Sequence, residues 1–181
     1  MSLGAARACA RKYGPLALLL LDAHPDFWET PPERPNHTAW VRIAVEEKTV
    51  DPNRCIQVGI RGAASLSTLD RVLAHNITVV TAEETRRIGT DGVLDMIRRV
   101  ATEPLYISLD IDCVDPAYAP ATGAPTVGGF TSQEMLALMR GLKGLPVVGF
   151  DVMEVAPAYD HAEVTALLAA TLVYEFLMSR L

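Results

Sequence analysis

The sequence is short of cysteine, of excess charge and of long apolar runs, and each shortage excludes a class of protein. It has three cysteines, Cys9, Cys55 and Cys113. They are odd in number, far apart and without CxxC spacing. That excludes a disulfide framework or a zinc knuckle and suits a reducing cytosol. Charged residues make up 21% of the chain, with a formal net charge of −6. So mildly acidic a composition offers no electrostatic footprint for nucleic acid or anionic lipid, while its local acidic clusters suit cations. No stretch approaches the roughly 20 apolar residues that span a bilayer. Residues 14–21, GPLALLLL, are too short. Arg7, Arg11 and Lys12 precede them in the manner of a signal peptide, but the run ends in DAHPD rather than in a small-residue cleavage site.

Half of the 181 residues are apolar, enough for one globular domain with a real core. Residues 3–12 are rich in helix formers and are followed by the breakers Gly14 and Pro15. LALLLL then has the length and continuity of a parallel strand buried on both faces. The pattern repeats along the chain, with helices expected at 38–48, 65–74, 89–100, 131–143 and 161–179. Strands are expected at 55–60, 77–82, 105–112 and 145–152. Alternation of this kind predicts a three-layer αβα domain around a mainly parallel sheet. Ligands then bind beyond the carboxyl ends of the strands. Two long irregular stretches, 25–37 and 113–130, follow such ends and are rich in proline and glycine.

Chemistry concentrates at two of those ends. Asp22-Ala23-His24-Pro25-Asp26 closes the LALLLL strand, and Asp110-Ile111-Asp112-Cys113-Val114-Asp115 closes LYISL. Alternation along a strand lets Asp110 and Asp112 converge, and likewise Asp22 and His24, with Asp26 next in line. Carboxylates packed this closely repel one another unless some protonate or a cation sits among them. An oxygen-rich set with one imidazole suits Mn²⁺ or Mg²⁺. A single DxD after a strand is weak, because aspartates also cap helices and turn loops. Asp115-Pro116 is read as turn chemistry of that kind. Two such clusters, each ending a buried strand, favour the metal.

These segments resemble the signatures of the ureohydrolase (arginase/agmatinase) family. DAHPD resembles its DAHxD motif. SLDIDCVDPAYAPATGAPTVGG resembles its second metal signature, and GFDVMEVAPAYDHAEVTALLAA its third, nearest to agmatinases. GIRG at 59–62 also fits, and the likeness runs from about residue 14 to the C-terminus. The resemblance implies two manganese ions. Asp22, His24, Asp110 and Asp112 surround one, while Asp22, Asp26 and Asp110 contribute to the other, Asp22 and Asp110 bridging. In the family a hydroxide shared by the metals attacks a guanidinium carbon, and a tetrahedral intermediate collapses to urea and an amine. Glu154 is implied as the partner of the substrate guanidinium, a planar cation that asks for a bidentate acceptor. Asp151 is left without a role.

His37 matches a family histidine beside the substrate, a proton shuttle or substrate contact. The family's His-Gly-Thr reads His37-Thr38-Ala39 here, so a plain loop histidine is the competing reading. His75 is expected in a solvated turn and His161 at a helix start. Trp28 and Trp40 either wall the substrate entrance or simply pack. Arginases carry asparagine where Trp28 stands, which points away from arginine. Agmatine, cleaved to putrescine and urea, or a guanidino acid with a different tail is favoured.

The resemblance also implies that the chain is N-terminally truncated. The family's first metal-binding histidine lies in a GGDHS segment, and this chain begins MSLGAARACARKYG, with no histidine before His24. The first strands are then missing too, one metal site lacks its nitrogen, and a flank of the DAHPD strand is exposed. The expectation is a cytoplasmic amidinohydrolase, a homotrimer or homohexamer by family habit, with no nucleic acid or membrane partner. The alternative is a catalytically impaired metal-binding remnant or assembly subunit. A phosphatase built on DIDCVD is disfavoured by the absence of a P-loop pattern.

Overall fold

A strand made almost wholly of leucine has no polar face to give to water, so it must be covered on both sides. The computed structural model describes residues 1–31, 36–62 and 66–180. In it Leu16–Leu21 forms β1, and all six residues are buried. The strands β2 (Val50–Ile60), β3 (Thr78–Thr81), β4 (Leu105–Asp110) and β5 (Val147–Met153) complete one sheet of order β3-β2-β1-β4-β5. Every pairing in it is parallel.

Alternation along β1 divides the interior in two. Ala17, Leu19 and Leu21 face a core with Ile56, Val58, Ile107 and Leu109. Helices α4 (Ala82–Val100), α5 (Ser132–Gly141) and α6 (Val164–Met178) cover it. Leu16, Leu18 and Leu20 face a second core with Phe27, Trp40 and Tyr106. Helices α1 (Ser2–Tyr13), α2 (Trp40–Glu46) and α3 (Leu66–Ala74) lie over that face. The expected three-layer αβα architecture is the one found.

The expected exposed flank of the DAHPD strand is not found. β1 lies mid-sheet, paired with β2 on one side and β4 on the other. Within the described residues, the strands with a single neighbour are β3 and β5. Strand order reverses at β1: the chain moves outward through β2 and β3, then returns to lay β4 on the opposite side. A crevice opens at such a switch point, beyond the carboxyl ends of the two diverging strands. Here those strands are β1 and β4, the two that end in aspartate clusters.

Several boundaries differ from the sequence reading for local reasons. β2 begins at Val50 rather than Cys55, and the register against β1 slips between Leu16 and Leu18, across the stretch holding Pro52. α4 begins at Ala82, where the Thr81 side chain accepts from Glu84 N–H, and it kinks at Gly89 (φ 70°). β4 stops at Asp110, and Ile111–Cys113 forms a 3-10 turn. The last helix is preceded by a separate turn, His161–Glu163, and Asp160 caps it by accepting from Thr165 N–H and Ala166 N–H. Residues 161–178 are apolar and long enough to pass for a membrane span. The regular helix is only 15 residues, or about 22 Å against the ~30 Å of a bilayer core. It also gives Ala169, Leu172 and Phe176 to the core.

Leu19 is fully buried at the centre of the sheet. Leu19→Ala is expected to destabilise the chain by about 2–5 kcal/mol through lost burial and the cavity left behind. Leu73→Ala, at a side chain 56% exposed, should shift stability by less than about 0.5 kcal/mol. Urea melts of both variants check the contrast.

Candidate metal centre and substrate cleft

Asp22 is the first residue beyond β1, and Asp110 is the last residue of β4. Both strands run the same way side by side, so both deliver carboxylates to one rim. Asp22, His24, Asp26, His37, Asp110, Asp112 and Glu154 all line a single cavity of about 440 Å³.

The convergence comes from turns rather than from strand alternation. The Asp110 carboxylate accepts from Asp112 N–H at 2.9 Å and so starts the 3-10 turn. That turn carries Asp112 across to the neighbouring strand. There its carboxylate accepts from Ala23 N–H at 2.9 Å and meets His24 Nδ1 at 2.9 Å. The Asp22 carboxylate accepts from His24 N–H at 2.6 Å. Each aspartate therefore fixes the backbone that carries the next ligand.

Electrostatics records the crowding. Burial, then the charges of Asp26, Asp110 and Asp112, holds the Asp22 carboxyl well above the usual aspartate range. Burial and the Asp112 charge raise Asp26 to about 7 and Asp110 to about 9. Burial opposes ionisation of Asp112 as well, but the His24 ring and Ala23 N–H outweigh it and its pKa is lowered. The same hydrogen bond to Asp112 raises His24. Without a cation, this crevice favours keeping protons on Asp22, Asp26 and Asp110.

A divalent cation fits that arrangement. One ligand atom each from Asp22, His24 and Asp112 lie within 4.8 Å of one another. The donors are carboxylate oxygens and one imidazole nitrogen, a set for a hard or borderline ion.

Glu154 follows β5 and lies exposed beside the cavity with φ 64°, and Asp26 has φ 47°. Left-handed conformations at bulky polar residues are strained, and such strain gathers at functional sites. Trp28 and Trp40 both line the cleft. Trp40 also packs into the core on that side of the sheet. His37 is exposed on a short 3-10 turn capped by Asn36.

Other residues have structural work. Asp115 accepts from Ala117, Gly128 and Gly129 N–H, as befits turn chemistry. Asp151 accepts from Tyr106 Oη at 2.5 Å and Ser108 Oγ at 2.7 Å. His161 is exposed and does not line the cavity. His75 is not the solvated histidine expected. It is half-buried, with Nδ1 2.8 Å from Arg71 O and its ring edge-on to Phe27 at 5.1 Å.

Three supports escaped the sequence reading. Gln57 Nε2 donates to Pro25 O from within the sheet and shapes the DAHPD turn. A Cβ at Gly62 would come within 2.3 Å of the His24 ring, so only glycine leaves the imidazole its place. Thr126 Oγ1 lies 3.5 Å from His24 Nε2. Gln57 lies outside every quoted motif, while Gly62 in GIRG and Thr126 in the second signature sit in motifs that do not say what each approaches.

The sequence profile describing the arginase family matches residues 1–179. The chain belongs to the arginase family. Within it, the chain is 45% identical to the proclavaminate amidinohydrolase of Streptomyces clavuligerus across an alignment of 186 positions that covers 97% of this chain and 58% of that one. It is 42% identical to an agmatinase of an Enterobacter species over 94% of this chain and 54% of the relative. The solved structure of the Streptomyces clavuligerus protein superposes with a TM-score of 0.90, covering 99% of this chain and 61% of that one. The chain thus spans little more than half the length of these relatives.

The pKa shifts predict how an arginase-family chain stripped of metal responds to pH. Asp26 and Asp110 are raised from 3.8 to about 7 and about 9. Over that range the folded chain holds more protons than the unfolded one, so stability falls as pH rises from about 4 to about 9. The raised His24 acts in the same sense, its contribution present below 6.5 and lost as pH rises through its folded value. In chelator, the melting temperature should decrease steadily from pH 5 to pH 9. Asp110→Asn should flatten that slope; a melting temperature that climbs over this range would contradict the crowding.

Proposed function

We propose that this chain carries the metal centre and guanidino cleft of an agmatinase-like amidinohydrolase, releasing urea and putrescine from agmatine. The observation that carries the reading is the lining of the cleft. Among the described residues it presents five carboxylates, those of Asp22, Asp26, Asp110, Asp112 and Glu154, and no lysine or arginine. Such a wall attracts a substrate that is cationic at both ends. Agmatine, a guanidinium joined to an amine, fits better than arginine or a guanidino acid. Membership of the arginase family and the agmatinase likeness support the same reading.

In this proposal Asp22, His24, Asp110 and Asp112 would hold one manganese, and Asp22, Asp26 and Asp110 would contribute to holding a second. When bound, the metal supplies Lewis-acid polarisation and lowers the pKa of water at the site. His24 would offer Nδ1, the nitrogen that faces both Asp22 at 3.5 Å and Asp112 at 2.9 Å, while Nε2 lies toward Thr126. Glu154 accepts the guanidinium N–H groups and holds the carbon toward the aspartates. Trp28 and Trp40 exclude water along the flank. His37 returns a proton to the departing amine nitrogen.

A second reading, a metal-binding subunit without turnover, is favoured by a single observation. Among the described residues His24 is the one imidazole in the metal-capable cluster.

Manganese-loaded protein should retain metal on desalting and release urea from agmatine. Asp110→Asn should lower bound manganese sharply, and unchanged metal content would sink that ligand assignment. Glu154→Gln should leave bound metal unchanged and cut urea release by about 10–100-fold, the scale of one charge-assisted hydrogen bond. Retained metal with no urea from any guanidino substrate would select the second reading.

A further inference from the structure

One residue, Arg61, bonds the turn after β1 through its backbone and the loops after β4 through its side chain. Arg61 follows β2, and its own N–H donates to Ala23 O at 2.9 Å, between Asp22 and His24. Its guanidinium reaches the other cluster. Nη2 donates to Asp112 O at 2.7 Å and Thr126 O at 2.6 Å, with Val114 O at 3.3 Å. Nη1 donates to Cys113 O and Gly59 O, both at 3.2 Å, and Nε donates to Val127 O at 3.2 Å. The group is half-buried and forms no ion pair with any described carboxylate. Its partners are six backbone carbonyls, so what it holds is the path of the chain rather than a charge.

The fit around it is close. A Cβ on Gly129 would lie 2.4 Å from Nη2, so the returning arm of the 113–130 loop has glycine where it crosses the guanidinium. Gly62 bonds the same Ala23 carbonyl at 2.8 Å and leaves room for the His24 ring. Arg61 therefore joins the turn after β1, the 3-10 turn after β4 and the segment carrying Thr126.

We propose that Arg61 is a positioning residue that sets the spacing between the two aspartate clusters, and with it the His24–Asp112 contact and the geometry of the metal centre. A planar group with five N–H donors spans carbonyls in several directions at once; a lysine ammonium, with three donors on one atom, does not.

Arg54, which also pairs with Asp51 at 3.0 Å, supplies a control. At the opposite rim of the sheet its guanidinium donates to Glu103 O at 2.9 Å and Pro15 O at 2.7 Å, ahead of β4 and β1. It ties the same two strands at the end without ligands.

Two readouts test the proposal on the full chain as Arg61→Lys, Arg61→Gln and Arg54→Gln. The first is the His24 Nδ1–H resonance of metal-free, ¹⁵N-labelled protein, a slowly exchanging proton if Asp112 holds it. It should persist in the wild type and in Arg54→Gln and broaden or vanish in both Arg61 variants. The second is affinity for Mn²⁺ alone, followed by the EPR signal of the free ion, and this readout rests on the metal reading given above. It should fall about 10–100-fold in the Arg61 variants, as for other outer contacts to metal ligands, and stay within about twofold in Arg54→Gln. Arg61 variants that keep both the resonance and the affinity overturn the proposal. So does a failure of both to fold while Arg54→Gln folds, which would make Arg61 a determinant of the fold instead. A wild type that binds no Mn²⁺ defeats the metal reading alone, and the resonance still decides the role of Arg61.

Discussion

Asp22, Asp26, Asp110 and Asp112 are drawn from two parallel strands into one desolvated crevice, where burial and mutual repulsion raise Asp22, Asp26 and Asp110 while the His24 ring holds Asp112 down. A fold that brings them together must offset that repulsion. It does so with backbone N–H groups. Ala23, His24 and Asp112 each donate to an aspartate of the cluster. These bonds orient the carboxylates and tie the two strand ends together. The leucine strand beneath them gives the cluster a rigid floor, since every residue of β1 is committed to one of two cores.

Much of this was legible in the residues. A continuous apolar hexamer has one environment open to it, and alternating strands and helices leave few sheet topologies. Hence the layers, the parallel sheet and the rim bearing the aspartates could be read directly. The seven candidate residues share a cavity because two motifs end adjacent strands and the others follow in loops at the same rim. Three matters were not legible. Strand order was one: the DAHPD strand lies mid-sheet, a position that pairing decides and periodicity does not. The path of the chain at Asp112 was another, because a strand and a 3-10 turn use the same residues until the Asp110 carboxylate captures Asp112 N–H. The last was the supporting cast of Gln57, Gly62 and Thr126, whose importance lies in what they approach.

Membership of the arginase family explains why so compact a piece is recognisable. The match covers nearly all of this chain but little more than half of its relatives. The part in common includes the switch point, both aspartate clusters and the loops that shape the cleft. Within that part the charge on the walls is nearly all of one sign.

The stretch from 113 to 130 is irregular but not loose. Asp115 closes its base on Gly128 and Gly129, and Phe130 pairs with Cys113 and Asp115. Its far side is moored where Ala121 O accepts from Ala156 N–H and Ala121 N–H donates to Thr165 Oγ1. A segment lashed at both neck and crest is a jamb rather than a door. A molecule entering here meets an aperture whose width on this side is already set, so binding loses no entropy to ordering the loop.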